Sequence, residues 1–215
     1  MKDVTHIAVL LDRSGSMESI KDETISGFNY FLKEQKENGA NAYLTLVQFD
    51  TQSTDVVEEN TPIVSVQSLN PQTYQPRGGT PLLDALGDTI NSTGNTLKNI
   101  PESGRPDKIV FVIITDGEEN SSHRYSRVKI KEMIEHQSDV YDWQFVYLGA
   151  NQDAFAEAGG MGIAADNTAN YLRVNTAAAF AAASSNVASY RSTGDSASLK
   201  YSGKQRTRLT KQQPE

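Results

Sequence analysis

The sequence predicts an α/β fold in which a doubly wound, mostly parallel sheet carries helices on both faces and has one short antiparallel edge strand. Two continuous apolar runs, residues 7–11 and 109–114, are typical of strands that are buried on both faces. Segments with apolar residues at helical spacing alternate with such runs along the chain. Polar residues follow the runs directly, and doubly wound sheets bind their ligands at these strand ends.

Length and composition limit the class of protein. A chain of 215 residues is long enough for one domain with a two-layer or three-layer core. The net charge of −7 argues against nucleic acid as a partner, and the absence of cysteine excludes a disulfide-stapled extracellular module and a thiolate metal site. The sequence has no secretory segment at its start and no apolar run long enough to span a membrane. We therefore expect a cytoplasmic protein without a membrane partner.

The first half of the chain predicts one long helix among strand-forming segments. Residues 4–12 form the first strand, and residues 18–37 form an amphipathic helix. Residues 42–49 form the second strand. Two β-rich pieces, residues 54–57 and 63–66, predict an antiparallel hairpin at the edge of the sheet.

The second half alternates helices and strands in the same way. Thr80 is a good N-cap residue and Pro81 suits the first helical position, so a helix is predicted to begin there. Strands are predicted over residues 108–115, 143–148 and 171–174, and helices from about residue 126, over residues 154–158, and from Asn175 or Thr176 to about Arg191. This alternation implies right-handed crossovers between parallel strands.

The first strand ends in oxygen-bearing side chains, namely Asp12, Ser14 and Ser16, with Gly15 allowing a tight turn. One carboxylate and two hydroxyls suit Mg²⁺, Mn²⁺ or Ca²⁺ and do not suit zinc, which favours nitrogen and sulfur ligands. Serine and aspartate are also common helix N-caps. A strand followed by a capped helix therefore explains these residues equally well when they are taken alone.

Composition changes near the carboxyl end, so the sequence predicts a domain over residues 1–191 and a basic polar tail over residues 192–215. The tail carries a net charge of +3, which leaves −10 on the rest of the chain. Few of its residues are apolar, which favours a flexible, solvated tail. The alternative is a basic arm that binds an acidic partner or lies across the chain's own acidic domain.

Three segments place polar residues at loops that a parallel sheet brings to one edge: residues 12–16, 79–81 and 114–117. Together they resemble the metal-ion-dependent adhesion site of the von Willebrand factor A-domain family, which has the form Asp-x-Ser-x-Ser, then Thr, then Asp. The resemblance covers about residues 4–191. It implies a metal site in which Ser14, Ser16 and Thr80 are hydroxyl ligands, while Asp12 and Asp116 bind the cation directly or through water.

The resemblance also implies a function, that of a divalent-metal-dependent protein-binding module. Mg²⁺ is the expected ion, with Mn²⁺ or Ca²⁺ as alternatives. Because Mg²⁺ takes six oxygen ligands, this ligand set leaves a position that the Asp or Glu carboxylate of another protein completes. Stand-alone intracellular members of the family from bacteria and phages resemble this chain in composition, and some relatives work beside ring ATPases.

Two other functions stay open. A metal-dependent hydrolase or phosphoryl-transfer enzyme would use the same type of ion. However, residues 12–14 lack the second carboxylate of haloacid-dehalogenase-type enzymes, and the sequence has no phosphate-binding loop, nucleophile elbow or evident general base. We therefore predict a protein that is not an enzyme. The other alternative is a scaffold subunit of a phage or stress-response assembly, and the oligomeric state is left open.

Residues that flank the predicted metal ligands receive separate predictions. Residues 118–120 are expected to be solvated on the rim of the site. Residues 151–153 are expected near the same rim, with Asn151 capping the short helix. Arg13 and Arg77 are expected to be solvated, and the alternative is that they steer an acidic ligand toward the metal.

Overall fold

A six-stranded sheet forms the centre of the computed structural model, which describes residues 3–150 and 153–212. The strands are β1 (Thr5–Asp12), β2 (Ala42–Phe49), β3 (Thr54–Pro62), β4 (Lys108–Thr115), β5 (Gln144–Ala150) and β6 (Thr168–Tyr171). Their order across the sheet is β3-β2-β1-β4-β5-β6, and every neighbouring pair is parallel except β2 and β3. This confirms the predicted mostly parallel sheet with an antiparallel edge strand.

Helices cover both faces of the sheet, as predicted. They are α1 (Lys21–Glu37), α2 (Leu82–Lys98), α3 (Arg127–Tyr141), α4 (Ala154–Gly160), α5 (Thr176–Thr193) and α6 (Gly203–Thr210). Apolar side chains of α1, α5 and α6 share one core cluster with one face of the strands, and those of α2, α3 and α4 share a second cluster with the other face. No helix in the described part of the chain is both long enough and apolar enough to cross a lipid bilayer.

Strand β1 shows why continuous apolar runs become central strands. All eight of its residues are buried. Ile7 and Val9 pack into the cluster on the α1 side, whereas Ala8 and Leu10 pack into the cluster on the α2 side. Since both faces lie against helices, residues 7–11 are apolar on both faces, and the polar residues Thr5, His6 and Asp12 lie toward the ends of the strand.

Strand order reverses between β1 and β4. The chain passes from β1 outward to β2 and β3, and later returns to place β4 on the other side of β1. Leu11 of β1 pairs with Ile114 of β4, so the two strands end side by side. The loops after β1 and β4 therefore diverge from a single point at the carboxyl edge, where doubly wound sheets bind ligands.

The edge of the sheet differs from the predicted hairpin. Residues 54–62 form a single strand, β3, which pairs with β2 and is interrupted by register shifts around Leu46. Residues 63–65 form a 3₁₀ turn instead of a second strand. The reason is burial, because Ile63 and Val66 turn inward and join the core under α1. Their β-branched side chains are therefore explained by packing rather than by strand pairing.

Three element boundaries also differ from the prediction. The predicted first helix is a 3₁₀ turn over Gly15–Ile20 followed by α1, and the last strand ends at Tyr171 with a 3₁₀ turn over Arg173–Asn175. Helix α2 begins at Leu82 with Pro81 at the N-cap, so Thr80 lies just before the helix and does not cap it. The expected caps also shift: Asp153 caps α4, while Asn151 lies outside the described residues.

The expectation of a solvated tail after Arg191 is wrong for residues 192–212. Leu199, Tyr201 and Leu209 are buried in the same core as α1 and α5. A capping box joins Ser202 and Gln205 at the start of α6, and the backbone N–H of Leu172 donates to the Leu209 carbonyl over 3.0 Å. Residues 194–212 therefore form a C-terminal strap that packs against the domain. Its basic side chains lie on the outside of an ordered segment.

Candidate metal centre

Asp12, the last residue of β1, lies at the bottom of the site and is fully buried. Its Oδ1 accepts a hydrogen bond from the Ser14 N–H over 2.7 Å, and its Oδ2 accepts one from Thr115 Oγ1 over 2.6 Å. Burial raises the pKa of Asp12 to about 7, because the charged form loses its solvation, while these hydrogen bonds oppose the rise. Such a carboxylate is stabilised by a nearby cation.

The two serines of the first loop connect this residue to the end of β4. Ser14 Oγ lies 3.0 Å from Ser16 Oγ, and Ser16 Oγ donates to Asp116 Oδ1 over 2.6 Å. Ser14 and Asp116 are buried, whereas Ser16 is exposed. The result is a continuous row of oxygen atoms from two strand ends, with its middle open to solvent.

Thr80 approaches the same row from the loop before α2. Gly117 shows how close it comes: a Cβ atom added to this glycine would lie 3.2 Å from Thr80 Oγ1 and 3.4 Å from Ser16 Oγ. The Thr80 N–H donates to Asn120 Oδ1 over 2.9 Å, and the Asn120 N–H donates to the Thr80 carbonyl over 3.2 Å. Thr80 is itself buried. The structure therefore brings all five predicted site residues to one place.

The chemistry of these side chains fits a hard divalent cation. The five residues supply two carboxylates and three hydroxyls, and they supply no nitrogen or sulfur. Within residues 3–150 and 153–212, no three or more His, Cys, Asp or Glu side chains form a cluster that could hold a metal by themselves. The buried Asp116 Oδ2 accepts no aligned hydrogen bond from the described residues, and Arg173 Nη2 lies 2.7 Å from it as an ion-pair partner. A buried carboxylate oxygen without a donor is costly unless a positive charge is close to it.

Acidic residues after β4 hold the loop that carries Asp116, which corrects the expectation of a solvated rim. Glu119 Oε1 accepts from the N–H groups of Ser121 and Ser122 over 2.8 and 2.7 Å. Its Oε2 accepts from the Leu83 N–H over 2.9 Å, at the start of α2. Since the first N–H groups of a helix have no partner within the helix, Glu119 ties the Asp116 loop to α2. Within residues 118–120, Glu118 and Asn120 are exposed, although Asn120 is bonded to Thr80.

Asp84 completes this connection from the first turn of α2. Its carboxylate accepts hydrogen bonds from three successive backbone N–H groups, those of His123, Arg124 and Tyr125, over 2.9 to 3.0 Å. These bonds lower the pKa of Asp84, although its partial burial acts in the opposite direction. In the sequence, Asp84 can be recognised only as an acidic residue in the first turn of a predicted helix, a position that acidic residues favour. The sequence does not reveal that the partners of Asp84 lie in a different loop.

Arg13 lies in the interior, contrary to the expectation that it is solvated. Its Nε donates to Asp50 Oδ2 over 2.7 Å, and its Nη2 donates to Asp55 Oδ2 over 2.8 Å and to Ser53 Oγ over 3.0 Å. Arg77 Nε donates to the same Asp50 oxygen over 3.0 Å. We call Arg13, Asp50, Asp55 and Arg77 the Arg13 cluster. This cluster holds the loop after β1, residues 12–16, against the loop between β2 and β3. Arg13 is therefore not free to steer a ligand toward the site.

Backbone hydrogen bonds reinforce the Arg13 cluster. The Arg77 N–H donates to the Arg13 carbonyl over 2.8 Å, and the Gly15 N–H donates to the Gly78 carbonyl over 2.9 Å. Gly78 has a φ of +66°, and a Cβ atom there would lie 2.3 Å from Thr51 Oγ1. Only glycine fits this conformation and this space without strain. The segment that delivers Thr80 therefore runs directly beside the Asp12–Ser16 loop.

Two further residues, Tyr74 and Arg173, lie at the site and were not predicted from the sequence. Tyr74 is fully buried and its hydroxyl donates to the Asp12 carbonyl over 2.5 Å, below the metal loop. Arg173, in the 3₁₀ turn after β6, places Nη2 2.7 Å from Asp116 Oδ2. Neither residue belongs to a recognisable sequence motif. The only available signal for Arg173 was its position just after a strand that ends at the same edge.

Several solved structures share the fold of this chain. Proximal thread matrix protein 1 from the mussel byssus, in a structure with a zinc-occupied MIDAS motif, has a TM-score of 0.59 at 16% identity over 83% of this chain and 46% of that one. A von Willebrand factor type A structure from Catenulispora acidiphila has a TM-score of 0.51 at 16% identity over 82% and 41%. The chain has a von Willebrand factor A-like fold.

A third structure extends the comparison. The von Willebrand factor A-like fold also matches manganese-loaded TRAP protein from Plasmodium vivax, with a TM-score of 0.55 at 17% identity over 83% of this chain and 72% of that one. The chain spans less than half of the mussel and Catenulispora structures. No protein-family model matches the sequence, and a search of curated proteins gave no match.

Proposed function

We propose that the chain is a divalent-cation-dependent protein-binding module. In this proposal Asp12, Ser14, Ser16, Thr80 and Asp116 hold the cation, and an Asp or Glu side chain of a partner protein completes its coordination. The ion is Mg²⁺ or Mn²⁺, with Ca²⁺ as the alternative. The observation that carries the proposal is the row of oxygen atoms at the point where strand order reverses, which ends in the buried carboxylate of Asp116.

The ligand charges explain why a partner carboxylate would bind. When present, the ion supplies two positive charges and prefers oxygen ligands. The three hydroxyls are neutral, and only Asp12 and Asp116 carry negative charge. Arg173 already lies against one of them. The loaded site would therefore keep a net positive charge, which favours an anionic ligand at its open side near Ser16.

The surroundings of the site favour binding over catalysis. Among the described residues, the side chains of Asp12, Ser14, Ser16 and Asp116 hydrogen-bond to one another, to Thr115 Oγ1 and to the Ser14 N–H, an arrangement that suits holding a cation. The mussel and Plasmodium structures that share the fold are described as zinc-occupied and manganese-loaded, which supports a divalent cation here. We infer a non-enzymatic interaction module, and its cytoplasmic location remains a prediction from the sequence.

A thermal-shift series with the metal alone tests the proposal. Mg²⁺ and Mn²⁺ should raise the melting temperature above its value in EDTA, and Asp12→Asn should abolish this increase. Asp139→Asn is the matched control, because it makes the same chemical change at an exposed position of α3. A melting temperature that is the same in EDTA and in both ions for the unaltered chain would contradict the proposal.

The open coordination position has a separate test. Water protons relax faster near protein-bound Mn²⁺, and acetate can stand in for a partner's carboxylate. We expect acetate to reduce this relaxation enhancement in the unaltered chain by replacing a water ligand. An enhancement that acetate does not change would show that no position is left for a partner.

A further inference from the structure

Arg173 is the only arginine or lysine of the described chain that forms an ion pair with one of the five site residues. Its side chain comes from the turn after β6, two strands away from β4, and reaches Asp116 at the sheet edge. The Asp116 side chain is fully buried, whereas 36% of the Arg173 side chain is exposed. The guanidinium therefore lies between a buried carboxylate and solvent.

The contact is close but it is not an aligned hydrogen bond. Nη2 of Arg173 lies 2.7 Å from Asp116 Oδ2, yet this oxygen has no hydrogen-bond donor and Arg173 Nε has no acceptor among the described residues. The other oxygen of Asp116 is oriented by Ser16. Arg173 is therefore not needed to orient Asp116. What it supplies is positive charge beside a buried negative charge.

The turn that presents Arg173 is held in place from the C-terminal strap. The Asn175 side chain donates to the carbonyls of Leu209 and Lys211 over 2.8 and 2.9 Å, and Thr176 Oγ1 donates to the Arg173 carbonyl over 2.7 Å. The Leu172 N–H also bonds to the strap. Arg173 therefore projects from a fixed backbone rather than from a mobile loop, which keeps its charge near Asp116.

We propose that Arg173 is a built-in counter-charge of the metal centre, which stabilises the metal-free chain and weakens the binding of the divalent cation. This inference rests on the proposed function. Without metal, the buried carboxylates of Asp12 and Asp116 repel each other, and the guanidinium offsets that repulsion. A divalent cation held by Asp116 would lie close to the Arg173 guanidinium. Two positive charges that are close together repel each other, and water screens this repulsion less in a partly buried site. Arg173 thereby sets the cation concentration at which the site loads.

Calorimetric titration with Mn²⁺ tests the effect on loading. We expect Arg173→Gln to bind Mn²⁺ about tenfold more tightly than the unaltered chain, since one nearby positive charge is removed. Arg173→Lys keeps the charge and should stay within about twofold of the unaltered chain. Arg127→Gln is the matched control, because Arg127 is 39% exposed, pairs with Glu157 and, among the described residues, forms no ion pair with any of the five site residues. Weaker or unchanged binding by Arg173→Gln would overturn the proposal.

A second measurement needs no metal and separates this inference from the proposed function. In EDTA, Arg173→Gln should lower the melting temperature, and it should do so far less in an Asp116→Asn background. A double-mutant cycle measures this coupling. An equal effect of Arg173→Gln in both backgrounds would overturn the counter-charge. Failure of both the unaltered chain and Arg173→Gln to bind Mn²⁺ would overturn the proposed function, and the coupling in EDTA would then decide on the counter-charge by itself.

Discussion

Two arginine–carboxylate contacts flank the loop after β1, and they differ in how completely they are satisfied. In the Arg13 cluster, the guanidinium is buried and donates aligned hydrogen bonds to Asp50, Asp55 and Ser53. In the Arg173–Asp116 pair, the guanidinium is partly exposed, and the carboxylate oxygen 2.7 Å from it accepts no aligned hydrogen bond from the described residues. The first arrangement leaves little for another ligand to add. In the second arrangement, the Asp116 carboxylate can still bind a divalent cation, which carries more charge than the guanidinium.

The two contacts therefore have different roles. Residues of the Arg13 cluster stabilise the fold around the site, whereas Arg173 changes the electrostatic environment of the site. Removing one partner from a buried, fully hydrogen-bonded network leaves uncompensated charge in the interior and is strongly destabilising. Removing a partly exposed charge that forms no aligned bond costs less stability and acts mainly on nearby charges.

Arg13→Leu should reduce the free energy of unfolding by about 4 kcal/mol, because Asp50 would stay buried and would keep only Arg77 as an ion-pair partner among the described residues. Urea denaturation in EDTA measures this change. The exposed Arg105 provides the control, and Arg105→Leu should change the free energy by less than about 0.5 kcal/mol. A loss below about 1 kcal/mol for Arg13→Leu would show that the buried Arg13 cluster contributes no more stability than an exposed ion pair.

His6, at the opposite end of β1 from Asp12, is a buried titratable group that forms no ion pair among the described residues. Its Nε2 lies 2.9 Å from Thr45 Oγ1, and burial lowers its pKa from 6.5 to about 4. Between these values the unfolded chain takes up a proton that the folded chain does not, so His6 reduces stability as the pH falls. The total loss is about 3 kcal/mol.

Urea denaturation from pH 7 to pH 4 measures the His6 effect as a difference between two proteins. The unaltered chain should lose stability relative to His6→Gln as the pH falls, since glutamine does not titrate in this range. Parallel pH profiles for the two proteins would show that the folded chain protonates His6 as readily as the unfolded one.

Gly78→Ala should cost about 2 kcal/mol, because the new Cβ combines a positive φ with a close approach to Thr51 Oγ1. Thermal denaturation measures the loss. Adding Thr51→Ala should recover only the steric part of the loss. Full recovery in the double variant would mean that the backbone conformation carries no strain for alanine.

Glu119→Gln should have the smallest effect, a loss of about 1 kcal/mol, because the NH2 group of glutamine cannot accept the hydrogen bonds that one of the two Glu119 oxygens accepts. Glu118→Gln is the control at the neighbouring exposed position. Equal stabilities for these two variants, measured by urea denaturation, would remove Glu119 from the group of residues that build the site.

The sequence predicts those parts of the molecule that depend on local pattern. The apolar runs of β1 and β4 can only be satisfied between two helical layers, and the strand-end motif then places Asp12, Ser16 and Asp116 at one edge. Resemblance to a known family added Thr80, which no local signal links to the others. The structure confirms their proximity, whereas their role as ligands is a proposal.

Contacts between distant loops were not predictable in the same way. Arg173 and Glu119 act on residues more than thirty positions away, and nothing in their local sequence indicates the partner. The strap was mistaken for a solvated tail because its three buried residues, Leu199, Tyr201 and Leu209, are widely spaced among polar ones. Residues 63–66 were mistaken for a strand because β-branched residues also suit a buried turn.

Crystals soaked in MnCl₂ offer the most direct test of the metal centre, because manganese is located unambiguously by its anomalous scattering. We expect one strong anomalous peak within coordination distance of Ser14 Oγ, Ser16 Oγ and Thr80 Oγ1, with Asp12 and Asp116 coordinating directly or through water. Peaks only at other surface carboxylates, with the Ser16–Asp116 hydrogen bond unchanged, would contradict the account.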